Sequence, residues 1–522
     1  MMRKSRLLGA AVACCAALVL GACGGGDSSP STGTAGPSGE PVAGGTARIL
    51  ILSDPRSLDP ASLGNQAAIT AVLGNALYGT LMTTDETGKV AYSMAESFAT
   101  TDGGATFALK LRPGLVFSDG TPLNAEAVKF NWDRLKDPAS ASPSAAEAAM
   151  VASAEVVDDV TLKVTMTTPV TAYAQAIVGS AMNWIASPAA LRKGQQTFDE
   201  SPVGAGPFTL QSWTRQAEIR LVKNPRYWDA PKPYLDGITM RAVLDSDQRY
   251  NTLISDGADV AVETNWINLA KAEKAGLPTD LLPLSGGYFI ALNTRREPFN
   301  DIRARQAVAA ALDIDAPNLA VYNGEGQVVD TLFTKNSPFY SDTPLRKADK
   351  ATAQRLFDEL AAEGKPVSFT FSTYPSSENR AIAENVQAQL GSFKNVKVEV
   401  ATVDYSQVGA MRTTHDFDAI VSAAAFQDPE PRLLANFTGN SPANMPGLVD
   451  PELDRNLLAG RTGTSLEQRK AAYDAAQARL TEAMPAIFLT RSAPAVITGK
   501  NVGGIVQYGA GSLLPEDLWI AK

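Results

Sequence analysis

The chain has 522 residues, 45% of them hydrophobic and 19% charged, and a net charge of −9, a balance able to bury the cores of two or three lobes. The negative charge, with no basic stripe interleaved with aromatics, disfavours a nucleic-acid partner or electrostatic attachment to anionic lipid. One histidine and three cysteines leave too few soft ligands for a metal cluster built from protein side chains.

Arg3, Lys4 and Arg6 open the chain, and an apolar run follows from Leu7 to Leu20. At about fourteen residues this run is shorter than the ~20 of a membrane-spanning helix and reads as a secretory signal peptide. Leu20-Gly21-Ala22-Cys23 resembles the bacterial lipobox. The resemblance implies that residues 1–22 are cleaved off and that Cys23 carries a diacylglycerol and an acylated amine. Several acyl chains on one residue give lasting anchorage, at about 0.8 kcal/mol per buried methylene. Cys14 and Cys15 lie in the discarded segment, so no thiol remains for a disulfide, a metal or nucleophilic catalysis. Losing the three basic residues takes the net charge to about −12. Residues 23–45 hold the lipidated cysteine and then Gly, Ser, Thr and Pro, a flexible tether with a reach of roughly 25 Å. No later run approaches the apolar length of a membrane helix, so the lipid is the only anchor expected.

Beyond the tether, short strand-like and helical runs alternate without an internal repeat. Ala47 to Ser53 predicts a buried strand ended by Pro55, and Ala67 to Leu77 has helical spacing. Phe107, Leu109 and Leu111 alternate as in a half-buried strand, before a turn at Asp119-Gly120. Asn124 then caps a helix whose inward stripe is Val128, Trp132 and Leu135. "GPFTLQSWTRQAEIRLVKN" predicts a hairpin. "DIRARQAVAAALDID" predicts a helix with Ala307, Val308, Ala311 and Leu312 inward; its Arg303 and Arg305 need partner carboxylates such as Asp301, because the helix dipole disfavours cations there. Near the end, Tyr473, Ala476, Leu480 and Met484 share a helix face, and Pro485 stops that helix.

Chemistry-bearing motifs are scarce. His415, in "RTTHDFDAI", has no second ligand and no G-x-S-x-G elbow to serve, and a surface or structural role is expected. Asp158 and Asp159 are loop neighbours, and "GAGPF" lacks the Lys and Ser/Thr of a phosphate loop. Neither an enzyme nor a cofactor or metal site is expected.

Six phrases in order carry a family resemblance: "SLDP" at 57–60, "FSDGTPLNAEAVKFNWDRL" at 117–135, "GAGPFTLQSW" with "KNPRYWDAPKP" at 204–233, "ALNTRREPFNDIRARQAVAAALD" at 291–313, "DFDAIVSAAAFQDPEP" at 416–431 and "DPELDRNL" at 450–457. Together they resemble the large extracytoplasmic solute-binding proteins of peptide-type ABC importers, family 5. The resemblance implies an α/β, periplasmic-binding-protein-like fold, with two main α/β lobes joined by a hinge plus a smaller inserted lobe. By analogy, lobe I comprises 46–78, 203–288 and 498–522; the inserted lobe II is 79–202; lobe III is 289–497. A monomer is implied. Its ligand, an oligopeptide or similar small organic solute, is enclosed between lobes I and III and passed to permease subunits backed by an ATPase.

The same resemblance places ligand contacts on Gly64, Asn65 and Gln66 after "LDP", on Asn183 and Trp184, on Tyr288 at a crossing strand, and on Phe426, Gln427 and Asp428. Trp266 and Tyr374 complete the aromatic candidates. Peptide-binding relatives hold the ligand's α-ammonium with an aspartate three positions before the "DP" of the 425–428 loop, and dipeptide binders carry an arginine for its carboxylate. Here those positions are Ala425 and Thr373, with only Arg380 nearby. These departures keep a non-peptide solute open, namely an oligosaccharide, an aromatic molecule or a chelate. A sensor or chaperone using the same fold also remains, and a cell-envelope enzyme is the remote alternative.

Overall fold

The computed structural model describes residues 37, 39–65 and 67–521. The expected signal peptide, Cys23, most of the tether and Gln66 lie outside the described residues.

Two large sheets organise the chain. The first has seven strands, in the spatial order Thr279–Leu281, Ala495–Thr498, Val260–Glu263, Thr46–Ile51, Gly237–Ala242, Glu218–Lys223 and Phe208–Thr214. Thr46–Ile51 pairs in parallel with both its neighbours, Ile49 lying opposite Met240 on one side and Val260 on the other. Ala47, Ile49 and Ile51 enter one core cluster while Leu50 enters another. Burial on both faces is why Ile49 to Leu52 reads as a continuous apolar run, while exposed Thr46 and Arg48 flank buried Ala47 at the start of the strand. The expected hairpin forms from Phe208–Thr214 and Glu218–Lys223.

The second sheet has five strands, in the order Val396–Thr402, Val367–Thr373, Ala419–Phe426, Ser285–Leu292 and Ala486–Phe488. Ile290 and Leu292 pack into one cluster, Phe289 and Ala291 into another, so this strand too is covered on both sides. A third, four-stranded antiparallel sheet is built from Ala95–Ala99, Thr106–Leu111, Val151–Val156 and Thr161–Met166. There Phe107, Leu109 and Leu111 are buried while Ala108 and Lys110 are exposed, the alternation expected of them. Helix Ala125–Lys136 packs near it; Asn124 Oδ1 accepts from Ala127 N at 3.0 Å, and Val128, Trp132 and Leu135 are buried.

Two helices differ in detail from the sequence reading. In Ile302–Ala311, Asp301 caps the first turn and pairs with Arg303 at 2.8 Å. Among the described residues Arg305 forms no ion pair: it donates to the carbonyls of Ala483 and Phe299, and burial pushes its guanidinium down to about 10 against the opposing pull of Asp301. Helix Leu466–Ala483 ends at Met484, which adopts a left-handed φ of 47°. Met484 therefore turns off the face of Tyr473, Ala476 and Leu480 and joins a different cluster. His415 is buried in the loop before Ala419–Phe426, its Nδ1 3.2 Å from the Met445 carbonyl, and burial lowers its pKa.

The chain passes between the two large sheets along adjacent crossings. One runs from Thr279–Leu281 into Ser285–Leu292, and the other returns from Ala486–Phe488 to Ala495–Thr498. They are tied by Leu282 N to Pro494 O at 3.1 Å and by Tyr288 N to Thr490 O at 2.8 Å. Arg491 braces the crossing, with Nη1 3.0 Å from the Gly286 carbonyl and Nη2 2.8 Å from that of Thr331.

Candidate functional site

Beside these crossings, segments far apart in sequence meet around a cavity with about 70 Å³ of space, walled in part by Asn65, Glu147, Gln175, Phe426, Gln427 and Asp428. Each reaches it for a local reason. Asp59 caps helix Pro60–Leu63, and Gly64 takes a φ of 53°, with a Cβ there only 2.4 Å from Pro143 Cγ; this tight turn delivers Asn65 to the wall. Asn65 Nδ2 donates to the Val178 carbonyl at 3.0 Å, and its Oδ1 accepts from Ser512 at 3.0 Å.

On the opposite chain segment, strand Ala419–Phe426 ends with Phe426 paired to Ser285 and Ala425 paired to Gly286. Phe426 is buried edge-on against Phe333, so it meets the cavity from the core. Gln427 bridges to residues 84–85: its Oε1 accepts from Thr84 at 2.7 Å, and its Nε2 donates to the Asp85 carbonyl at 3.3 Å. Asp428 is held by Arg469 at 2.6 Å and Glu430 by Arg461 at 2.5 Å. Burial raises the Glu430 pKa against the opposing pull of Arg461.

Other expected contacts lie elsewhere. Asn183 is fully buried, with Nδ2 donating to Met82 O and Oδ1 accepting from Met82 N, both at 2.9 Å. Trp184 is equally buried; its Nε1 donates to Asn75 Oδ1 at 2.9 Å and its ring lies on Gly74, where a Cβ would stand 2.3 Å from the indole. Both residues are in the core, with their polar atoms already used. Trp266 is buried at the start of helix Trp266–Lys274 and donates to the Arg491 carbonyl at 3.0 Å, bracing the crossing. Tyr288 remains 37% exposed, with Glu378 near enough to reinforce the upward push of burial on its phenol. Tyr374 is half-buried against the Phe289 cluster. Thr373 is buried and Arg380 is paired with Glu384 at 3.0 Å.

Glu147, Gln175 and Arg432 also line the cavity and were not anticipated. Glu147 sits in a five-residue helix, Ala145–Ala149, within an alanine-rich stretch that carries no motif. A larger hollow of about 660 Å³ lies beside Trp213 and Arg215 on the edge hairpin. It draws on residues 56, 195–200 and 210–215 only, so it does not bring the two large sheets together.

Residues 89–444 match the family described as bacterial extracellular solute-binding proteins, family 5 Middle. Glutathione-binding protein GsiB of Pectobacterium atrosepticum is 29% identical over 479 residues, 87% of this chain and 90% of that protein. Among solved structures, the binding protein AgaA of A. tumefaciens R10, in complex with agropinic acid, matches with a TM-score of 0.77 at 25% identity, over 92% of this chain and 99% of that one. The dipeptide-binding protein of Pseudoalteromonas sp. SM9913, in complex with Met-Leu, gives 0.76 at 21% identity over 91% and 100%, a likeness of fold. These relatives are binding proteins and not enzymes, and among the described residues no helix is long and apolar enough to cross a membrane. A family match over well more than half its length, on an α/β periplasmic-binding-protein-like fold, makes this chain a member of the bacterial extracellular solute-binding proteins of family 5.

Proposed function

We propose that this protein captures an oligopeptide or similar small organic solute in the cleft beside the crossings and delivers it to an ABC permease, held at the outer face of the membrane by a lipid on Cys23. The cavity carries this reading: segments around residues 65, 147, 175 and 427, from well-separated parts of the chain, converge on one cavity. Residues 46–78, 203–288 and 498–522 form one lobe in this reading, 289–497 another, and 79–202 the insert. The crossings are the hinge. In this reading the contact set is Asn65 and the 426–428 loop, which line the cavity, together with Tyr288 and Tyr374 outside its lining, with Gly64 shaping the turn; Asn183, Trp184 and Trp266 support it from the core. Ligand favours closure only to the extent that it touches both sides of the cleft.

Melting curves of the purified protein with mixed peptides, glutathione, oligosaccharides, aromatic acids and metal chelates test this. A true ligand at about 100 times its dissociation constant stabilises the fold by roughly 2.7 kcal/mol and is recovered unchanged. Stabilisation by none of these classes, or chemical turnover of a bound one, would defeat the reading. Ala425 and Thr373 at the expected clamp positions favour the second version, a non-peptide solute on the same cleft.

A further inference from the structure

The cavity wall carries two opposite charges that nothing among the described residues neutralises. One carboxylate oxygen of Glu147 is buried and accepts no hydrogen bond. Arg432, at the start of helix Arg432–Phe437, is solvent-exposed, lines the same cavity and has no carboxylate partner among the described residues. The neighbouring acids differ, since Asp428 and Glu430 are each closed by an arginine at 2.6 and 2.5 Å. Ala425, on the same wall, contributes no charge.

A buried acceptor left without a donor costs about 1–3 kcal/mol, and more when charged. Keeping that cost at the wall of a cavity makes sense where the donor arrives with the solute. A single unmatched acid would select a cation; an unmatched acid and an unmatched base in one cavity select a molecule that carries both charges. We propose that Glu147 receives the ammonium of a small zwitterionic solute and Arg432 its carboxylate. This rests on the capture reading above and gives that cleft its ligand chemistry. The cation contact then lies on the 79–202 segment, not on the 425–428 loop, while the anion contact lies just beyond that loop. One head group thus links the two segments. The 70 Å³ available, against about 10–15 Å³ for one water, fits a head group of a few heavy atoms.

The test is calorimetric titration of wild type, Glu147→Gln and Arg432→Gln with free amino acids, glutathione, Met-Leu, N-acetyl-Met-Leu, Met-Leu amide and maltotriose. Wild type is expected to bind at least one free zwitterion. Glu147→Gln should weaken that zwitterion at least tenfold while leaving its N-acetyl form at the wild-type level, and Arg432→Gln should do the same against the amide. On wild type alone, acetylation should weaken binding at least tenfold, which keeps the test alive if a variant folds poorly. Equal affinity of wild type and Glu147→Gln for the zwitterion would overturn the proposal, as would equal wild-type affinity for free and acetylated forms. Binding of maltotriose but of no zwitterion overturns the charge pair and leaves solute capture standing. Binding of nothing in the panel sinks both.

Discussion

Trp184 packs against Gly74 with its indole N–H given to Asn75, so its work is in the core. Trp184→Ala should cost about 3–5 kcal/mol in urea melts, with solute affinity per folded molecule unchanged. A variant of near-normal stability with impaired binding would return Trp184 to the cleft. Glu516 poses a different residue-scale case. It is buried with one oxygen lacking a donor, faced by Tyr227, Asp517 and Lys232, and burial pushes its pKa up to about 7. The folded state therefore holds this proton to higher pH than the unfolded chain, whose carboxyl titrates near 4.3. Stability should fall as pH rises from about 4.3 to about 7 and be flat above, by an amount on the order of 2–4 kcal/mol. Glu516→Gln should flatten that slope in melts at pH 5 and pH 8; an unchanged slope would assign it to other groups.

At the scale of elements, capping and periodicity were readable because they act over a few residues. Asn124 caps its helix as expected, and Asp301 holds Arg303. Arg305 could not be read so simply: its acceptors are carbonyls at Phe299 and Ala483, the second far away in sequence. The crossings depend on a close approach that no local pattern announces. Gly286 has a φ of 68°, and a Cβ there would come within 1.9 Å of the Ala424 carbonyl, directly where the strand pairs beside the cavity. Gly286→Ala should lower stability by at least about 1–3 kcal/mol and weaken solute binding, while an alanine on the exposed strand position Tyr288 should leave the fold intact. A Gly286→Ala protein that melts like wild type would mean the crossing accommodates the methyl group by sliding.

For the whole molecule, the membrane anchor and the folded body make separable predictions. Cys23→Ser should release the protein into the soluble fraction with solute binding unchanged; retention in the membrane fraction would place the anchor elsewhere. The leader, the tether and the order of six family phrases are written in contiguous residues, which is why sequence alone reaches them. Strand alternation at Phe107, Leu109 and Leu111 is likewise a property of the pleat.

The cleft is legible only in part. Asn65, Gln427 and Asp428 were identified through motif neighbours and do line the cavity, whereas Trp184 beside Asn183 looked like a ligand contact because an aromatic next to an amide has the same composition in a core as in a binding site. Glu147 carries no motif at all. By itself, then, the sequence determined the class of element at the stretches with a clear period or cap, the family and the expected address, since propensity, capping and hydrophobic period are local forces. Only the tertiary structure decided which side chains share the cavity and which of their charges stay unmatched, because those depend on contacts such as Thr84 with Gln427, 343 positions apart, that exist only once the chain has folded.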